Sequence, residues 1–447
     1  MNSADSSLAS RTAHELGVLT VRKIASRIIP FLGLLYLVSF LDRVNIGFAA
    51  LTMNADLGLT PVMFGFGSGI FFLGYILSGI PSNTILIRVG ARRWISMIMI
   101  AWGLISASLA FTNGPGAFYL LRFFLGVAEA GFFPGMILYL TYWFPAAYRG
   151  RILGAFLLAL PISNVIGAPI STALLALNEW GLKGWQWMFL LEGLPAVLLG
   201  CLTRRYLADS PAHATWLSPE EQQWLEGELA NERLAFPHAS ETTVAQGICN
   251  ARVWLLGVIY FGICVGLYTY GFWLPQIIKS IGQLTNRETG LVTMIPYAIA
   301  GCAMYAWGRY SDRHREARQR HVAWPALLGA LGLAASAWPH LSPTMSLIAI
   351  TVAASGIYAS IPPFWTLPTR VLTGASAAGG IALINTLGNV GGFVGPSLLG
   401  FIKKSTGSYG PSLWALSAML LVAAALVTMI DLESPSPAPP RRRRAFE

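Results

Sequence analysis

Twelve stretches of predominantly apolar sequence, each long enough to cross a lipid bilayer as a helix, dominate this 447-residue chain. They fall at residues 28–51, 63–86, 94–112, 117–143, 152–176, 186–206, 253–278, 289–308, 322–338, 344–366, 376–402 and 411–430. A spanning helix needs about 20 mostly apolar residues. Inside a bilayer every backbone N–H and C=O must also find its partner within the protein, which leaves a bundle of α-helices as the fold for such a chain. The charge content agrees. Asp, Glu, Lys and Arg make up 11% of the residues, against about 25% in an ordinary soluble domain, too few to cover a water-facing surface. The 46 glycines and 15 tryptophans suit close helix packing and interfacial anchoring.

The basic residues test this topology, because Lys and Arg concentrate in cytoplasmic loops. With the N-terminus inside, the inside segments hold 23 of the 30 Lys and Arg residues, including Arg88, Arg92, Arg93, Arg313 and Arg441 to Arg444. The outside segments hold five: Lys183, Lys279, Arg287, Lys403 and Lys404. That split predicts an even number of spans with both termini cytoplasmic. It also explains the net charge of +10 as loop charge, with no nucleic-acid partner needed. Met1 to Lys23 is polar, so the first span is expected to be retained and not cleaved as a signal peptide. The four cysteines show neither metal-site spacing nor disulfide density, so no metal and no cofactor are expected.

The longest polar stretch divides the chain into an N-terminal six-helix half (1–206), a cytoplasmic central loop (207–250), a C-terminal six-helix half (251–430) and a basic tail (431–447) expected to be disordered. In the loop, Ser218-Pro-Glu-Glu221 reads as a capping box opening a short surface helix that runs to about Asn231. The halves also echo each other. Asn164-Val-Ile-Gly-Ala-Pro169 in span five answers Asn389 to Pro396 in span eleven, and Arg88 to Arg93 after span two answers Gly308 to Arg313 after span eight. Repeated halves around a midplane site are the architecture of secondary transporters. In the second loop Asp312 and Arg313 are candidates for a gating ion pair at a helix end; in the first, Ile87 stands at the acidic position, so a gate built on Arg88 and Arg92 must differ.

A charge at bilayer depth costs a few kcal/mol or more, so an intramembrane ionisable residue points to function. Four stand out: Asp42 and Arg43 in span one, and Arg122 and Glu129 in span four. The last two are seven residues apart, on one helix face about 10 Å from each other along the axis. Arg stays protonated and presents a fork that fits a carboxylate, which makes Arg43 and Arg122 candidates for holding an anion. Asp42 and Glu129 are carboxyls caught between burial and a nearby cation, and so are candidates to take up and release a proton. Glu192 in span six is a further intramembrane carboxylate, with no role assigned beyond helix packing.

The stretches Leu41 to Ala49, Gly74-Tyr75 through Asn83, Gly90 to Trp94, Leu121 to Gly135, Leu190 to Pro195, Pro363-Phe-Trp365 and Asn385 to Pro396 together resemble the anion:cation symporter family of the major facilitator superfamily. The resemblance implies twelve transmembrane helices in two pseudo-symmetric halves and proton-driven uptake of organic anions such as tartrate-like, aromatic or sugar acids. It places substrate contacts at Arg43 and Arg122 and proton coupling at Asp42 and Glu129, and suggests Tyr75, Trp365, Asn385 and Asn389 as lining. Phe40 stands where sugar-acid carriers of the family can have Tyr. The expected partners are a small organic anion, protons and the lipid bilayer. The expected setting is a monomer in a bacterial inner membrane. An antiporter of the superfamily would carry an adjacent Gly-Pro pair in span five, whereas Gly167 and Pro169 are separated by Ala168. The loops leave no room for a signalling domain, and no nucleophile motif or phosphate-binding loop points to an enzyme.

Overall fold

A computed structural model describes residues 3–145, 148–149, 152, 156, 158–235, 244–314, 318–372 and 374–430. The basic tail and the start of the fifth predicted span therefore lie largely outside the described residues. The spanning helices are α1 (Ser3–Asp56), α2 (Pro61–Val89), α3 (Ala91–Ser108), α4 (Pro115–Glu129) with α5 (Phe132–Trp143), α6 (Ala159–Leu174) and α7 (Gly184–Tyr206). After the loop helices α8 (Pro219–Ala235) and α9 (Val244–Cys249) come α10 (Ala251–Gly282), α11 (Asn286–Arg313), α12 (Arg318–Ser336), α13 (Pro343–Phe364), the short α14 (Pro368–Val371), α15 (Gly374–Thr406) and α16 (Gly410–Met429). Among the described residues ten spans qualify by length and hydropathy, and α6 and α12 complete the expected twelve.

The fourth span departs from expectation. Residues 117–143 read as one helix, yet the chain breaks at Ala130-Gly131 between α4 and α5. Pro134 accounts for it: its ring lacks an N–H and collides with the carbonyl four residues back, that of Ala130. Glu129 is thereby left on the last turn of α4, where the backbone leaves its regular ladder.

The helix pairs repeat six spans apart. Within the first half α1 packs on α6, α2 on α4 and α3 on α7; within the second α10 packs on α15, α11 on α13 and α12 on α16. Between halves α2 meets α15, α11 meets α6, and α1 meets α10, as a pseudo-two-fold requires. The closest approaches across this interface crowd at the end remote from α8. A side chain on Gly400 would meet the Pro61 carbonyl at 2.3 Å and one on Gly65 the Pro396 carbonyl at 2.5 Å, so two glycines let the backbones of α2 and α15 touch. Thr172 and Ala168 close on Gly290 at the same end, and Gly271 and Phe272 on Gly47. Between α6 and α11 an apolar crevice of about 350 Å³ is lined by residues that include Pro161, Val165, Tyr297 and Tyr305, and within it a side chain on Gly301 would meet the Pro161 ring at 3.1 Å. The halves thus touch backbone to backbone at the end remote from α8.

The loop helix α8 starts as expected: Ser218 N–H donates to Glu221 Oε2 (2.7 Å), and Glu221 N–H to Ser218 Oγ (3.2 Å). It runs four residues past Asn231 and is tied to the first half through Lys23–Glu221 (2.7 Å) and Arg149–Glu232 (2.7 Å). Partial burial works against ionisation of Glu221, but the hydrogen bonds from Lys23 and Ser218 prevail and hold its carboxyl below the usual range.

Candidate functional site

The intramembrane charges of spans one and four do not form one cluster; they separate into three settings. Arg43 on α1 donates to Glu129 through Nη2 (2.6 Å) and Nε (3.2 Å), both to Oε2. Glu129 is fully buried, while 12% of the Arg43 side chain remains exposed. The guanidinium lies over two rings of α2, Phe71 (5.2 Å) and Tyr75 (5.5 Å). Tyr75, suggested as lining, is buried and forms with Phe71 a floor beneath the cation. This floor exists because α2 and α4 pack backbone to backbone: a side chain on Gly126 would stand 1.8 Å from the Phe71 carbonyl.

Arg122 is set apart from that pair. It is fully buried, donates through Nε to the Gly67 carbonyl and through Nη2 to the Ser68 carbonyl (3.3 Å each), and lies between the Phe71 and Phe272 rings. Its Nη1 has no hydrogen-bond partner. Arg122 thus anchors α2 from inside and does not face open space in this structure.

Asp42 turns away from Arg43, as neighbours in a helix must. Its Oδ2 accepts from Trp102 Nε1 (3.0 Å) and its Oδ1 from the Ser106 hydroxyl (3.1 Å), both on α3. It belongs to the interior of the first half and does not touch the arginine pair.

In the second half Trp365 packs edge-on against Tyr260 (4.9 Å). Asn389 Nδ2 donates to the Asn385 carbonyl of its own helix (2.8 Å). Asn385, Asn389 and Gly392 share one face of α15, and Gly392 lies against the Phe72 ring of α2, so this face looks toward the first half. Trp365 and Asn385 are partly exposed and Asn389 is buried. Sequence reasoning missed Tyr36 and Tyr268, both partly exposed and within electrostatic reach of Arg43. Tyr36 carried a usable signal, for it precedes Arg43 by seven residues and so shares its face. Tyr268 carried none, since α10 meets α1 only in the tertiary fold. Tyr36, Arg43 and Glu129 from one half thus confront Tyr268 from the other.

At the loops, Arg92 finds the carboxylate that Ile87 does not supply. Its Nη1 pairs with Asp209 (3.0 Å) and its Nε donates to the Arg204 carbonyl (2.9 Å), which ties α3 to the end of α7. Arg88 is exposed, and Asp312 and Arg313 are exposed in the last turn of α11.

The architecture has a known counterpart. The sequence matches the model of the Major Facilitator Superfamily over residues 32–396. The chain belongs to this superfamily. Over 423 residues this major facilitator is 49% identical to a protein of Agrobacterium vitis named "Putative tartrate transporter", covering 94% of this chain and 93% of that one. It is 41% identical over 411 residues to the "Quinolone resistance transporter" of Acinetobacter baumannii, covering 92% and 94%. Among solved structures, an inward-facing, unoccupied bacterial homologue of the human lysosomal transporter Spinster superposes with a TM-score of 0.74 at 18% identity, over 91% of this chain and 96% of that one, which speaks for the fold alone. The major facilitator is a multi-pass membrane transporter and not an enzyme.

Proposed function

We propose that this transporter takes up a small organic carboxylate, tartrate-like in its chemistry, together with protons, working as a monomer in a bacterial inner membrane with both termini cytoplasmic and the proton gradient as its only energy source. One observation carries the reading. The partly exposed cation Arg43, on an aromatic floor, already holds a carboxylate that belongs to the protein, the buried Glu129. An incoming carboxylate fits the same guanidinium fork and must take the place of Glu129. Glu129 displaced from Arg43 would be a buried, unpaired anion, which is costly unless it gains a proton. Anion binding and proton binding are thereby linked, each favouring the other. Tyr36, Tyr75 and Tyr268 offer hydroxyls to the remainder of the substrate, with Trp365, Asn385 and Asn389 facing from the second half. Arg122 adds positive charge from behind α2 and fixes the backbone that carries the floor. Asp42 and Glu129 supply the proton coupling, and the substrate leaves when the halves rock apart at the α8 end. Arg88, Arg92, Asp312 and Arg313 serve the loops that rearrange as the halves rock.

The purified transporter in proteoliposomes, supplied with radiolabelled tartrate and other small organic acids, tests this. An inward proton gradient should drive accumulation of one of these acids above its external concentration, and a protonophore should abolish it. Accumulation of none of the panel under a gradient would overturn the reading.

A second reading has one observation in its favour, the 41% identity to a quinolone resistance transporter. A flat aromatic acid could set its carboxylate on Arg43 with its ring beside the partly exposed Tyr36 and Tyr268. The same vesicles decide: proton-driven exchange of a quinolone, without accumulation of small acids, would replace symport with extrusion.

A further inference from the structure

Behind the arginine pair, the core of the first half holds a second carboxylate cluster, between α1, α3, α6 and α7. Glu192 on α7 is buried, and its Oε1 lies 2.6 Å from the Ser171 hydroxyl of α6. Its Oε2 has no hydrogen-bond partner. The neighbouring Gly193 packs on α3, where a Cβ would come within 3.3 Å of the Ser106 Cβ, and Ser106 is the residue whose hydroxyl holds Asp42. Asn45, one turn after Asp42 on α1 and 1% exposed, faces Glu192, yet neither its Oδ1 nor its Nδ2 has closed a hydrogen bond. Two carboxyls and an unpartnered amide are thus gathered in one buried place.

Among the described residues no cation pairs with them. From α1 the facing groups are Asp42 and Asn45, while Arg43 is turned to Glu129; from α3 they are Trp102 and Ser106; from α6, Ser171. Helix α6 carries no charged residue, and α3 only Arg92 and Arg93 at its far end. Among the described residues neither Asp42 nor Glu192 is in an ion pair. Glu129 is the only further carboxylate acting on Asp42. Two neighbouring carboxylates without a cation cannot both stay ionised in such surroundings. Asp42 accepts two hydrogen bonds and is the better solvated of the two. Glu192, with one oxygen bare, is the one to carry the proton.

We propose that Asp42 and Glu192 form a proton-binding pair that holds one proton, carried on Glu192, separate from the Arg43–Glu129 pair. The proton comes from water and converts one carboxylate to a carboxylic acid, so the cluster loses one negative charge. Asn45 is placed to hydrogen-bond Glu192 in whichever protonation state the other conformation favours, which makes the site sensitive to movement of α1 against α7. The inference extends the role given above to Asp42 but does not need transport to be correct, because its test involves no substrate.

The test is infrared spectroscopy of the purified, lipid-reconstituted full chain as a function of pH, following the carbonyl stretch of a protonated carboxylic acid. The wild type should show such a band at neutral pH, and Glu192→Gln should lack it. Ser171→Ala should keep the band but shift its frequency, since the carboxyl loses its hydrogen-bond partner. Asp42→Asn removes a negative charge beside Glu192, so ionised Glu192 is less disfavoured and the band should vanish at lower pH than in the wild type. Should Glu192→Gln fail to yield monodisperse protein, the Ser171 and Asp42 variants decide between the outcomes. A band that is unmoved by Ser171→Ala and titrates identically in Asp42→Asn, or one that survives Glu192→Gln, would overturn the proposal.

Discussion

Replacing Glu129 by Gln removes the internal competitor for Arg43 while keeping its shape. In the native chain one Glu129 oxygen receives two N–H groups of Arg43 at 2.6 and 3.2 Å. Hydrogen bonds to a charged group contribute about 1.5–3 kcal/mol; the Arg43–Glu129 ion pair stands at the upper end of that range, and a neutral amide accepting from the still-charged Arg43 at the lower end. The amide oxygen of Gln still accepts from Arg43, so the substitution weakens the competing contact by about 1–1.5 kcal/mol. A substrate carboxylate that must displace this contact should therefore bind about five- to tenfold more tightly to Glu129→Gln at a pH where the native Glu129 is ionised. The pH dependence should change with it. In the wild type, raising the pH ionises Glu129 and weakens anion binding; in the variant affinity should be flat through the same range. Calorimetric titration of the purified transporter with tartrate, or whichever acid the vesicle panel selects, measures both quantities. In vesicles the variant should still swap labelled for unlabelled substrate but should not accumulate it under a proton gradient. An unchanged dissociation constant together with a retained pH slope would refute the competition argument. Continued gradient-driven accumulation would move the coupling site to Asp42.

Two further outcomes are expected. With the four native cysteines removed, a single cysteine at Asn113 should react with an impermeant thiol reagent in intact cells and one at Glu220 should not; the reverse pattern would invert the orientation drawn from the loop charges. Arg122→Ala should lose the bonds to the Gly67 and Ser68 carbonyls, about 1.5–3 kcal/mol, which a lowered melting temperature of the detergent-solubilised protein would register, and substrate affinity should fall because the floor under Arg43 rests on that backbone. A variant with native melting temperature and native affinity would show that Arg122 does neither.

The spans, the duplication into halves and the four charges in spans one and four followed from the sequence because the bilayer imposes a strict rule: apolar length for every crossing, and a reason for every buried charge. The same rule made Asp42, Arg43, Arg122 and Glu129 legible as exceptions. It could not say how they pair. Adjacent residues point to different sides of a helix, and that alone sends Arg43 to Glu129 and Asp42 to Trp102 and Ser106. The face shared by Arg122 and Glu129 was visible in their spacing, but the carbonyls of Gly67 and Ser68 that capture Arg122 belong to another helix, whose approach depends on Gly126. Pro134 stood in the sequence as a sign that span four would break, and its meaning lay in placing Glu129 on the final turn of α4. Tyr268 had no local sign, and Asp42 and Glu192 stood out singly as intramembrane carboxylates without any sign that they meet. Their partners lie tens to hundreds of residues away, and only the packing of whole helices, fixed by glycine contacts and ridge fitting summed over the bundle, brings them together.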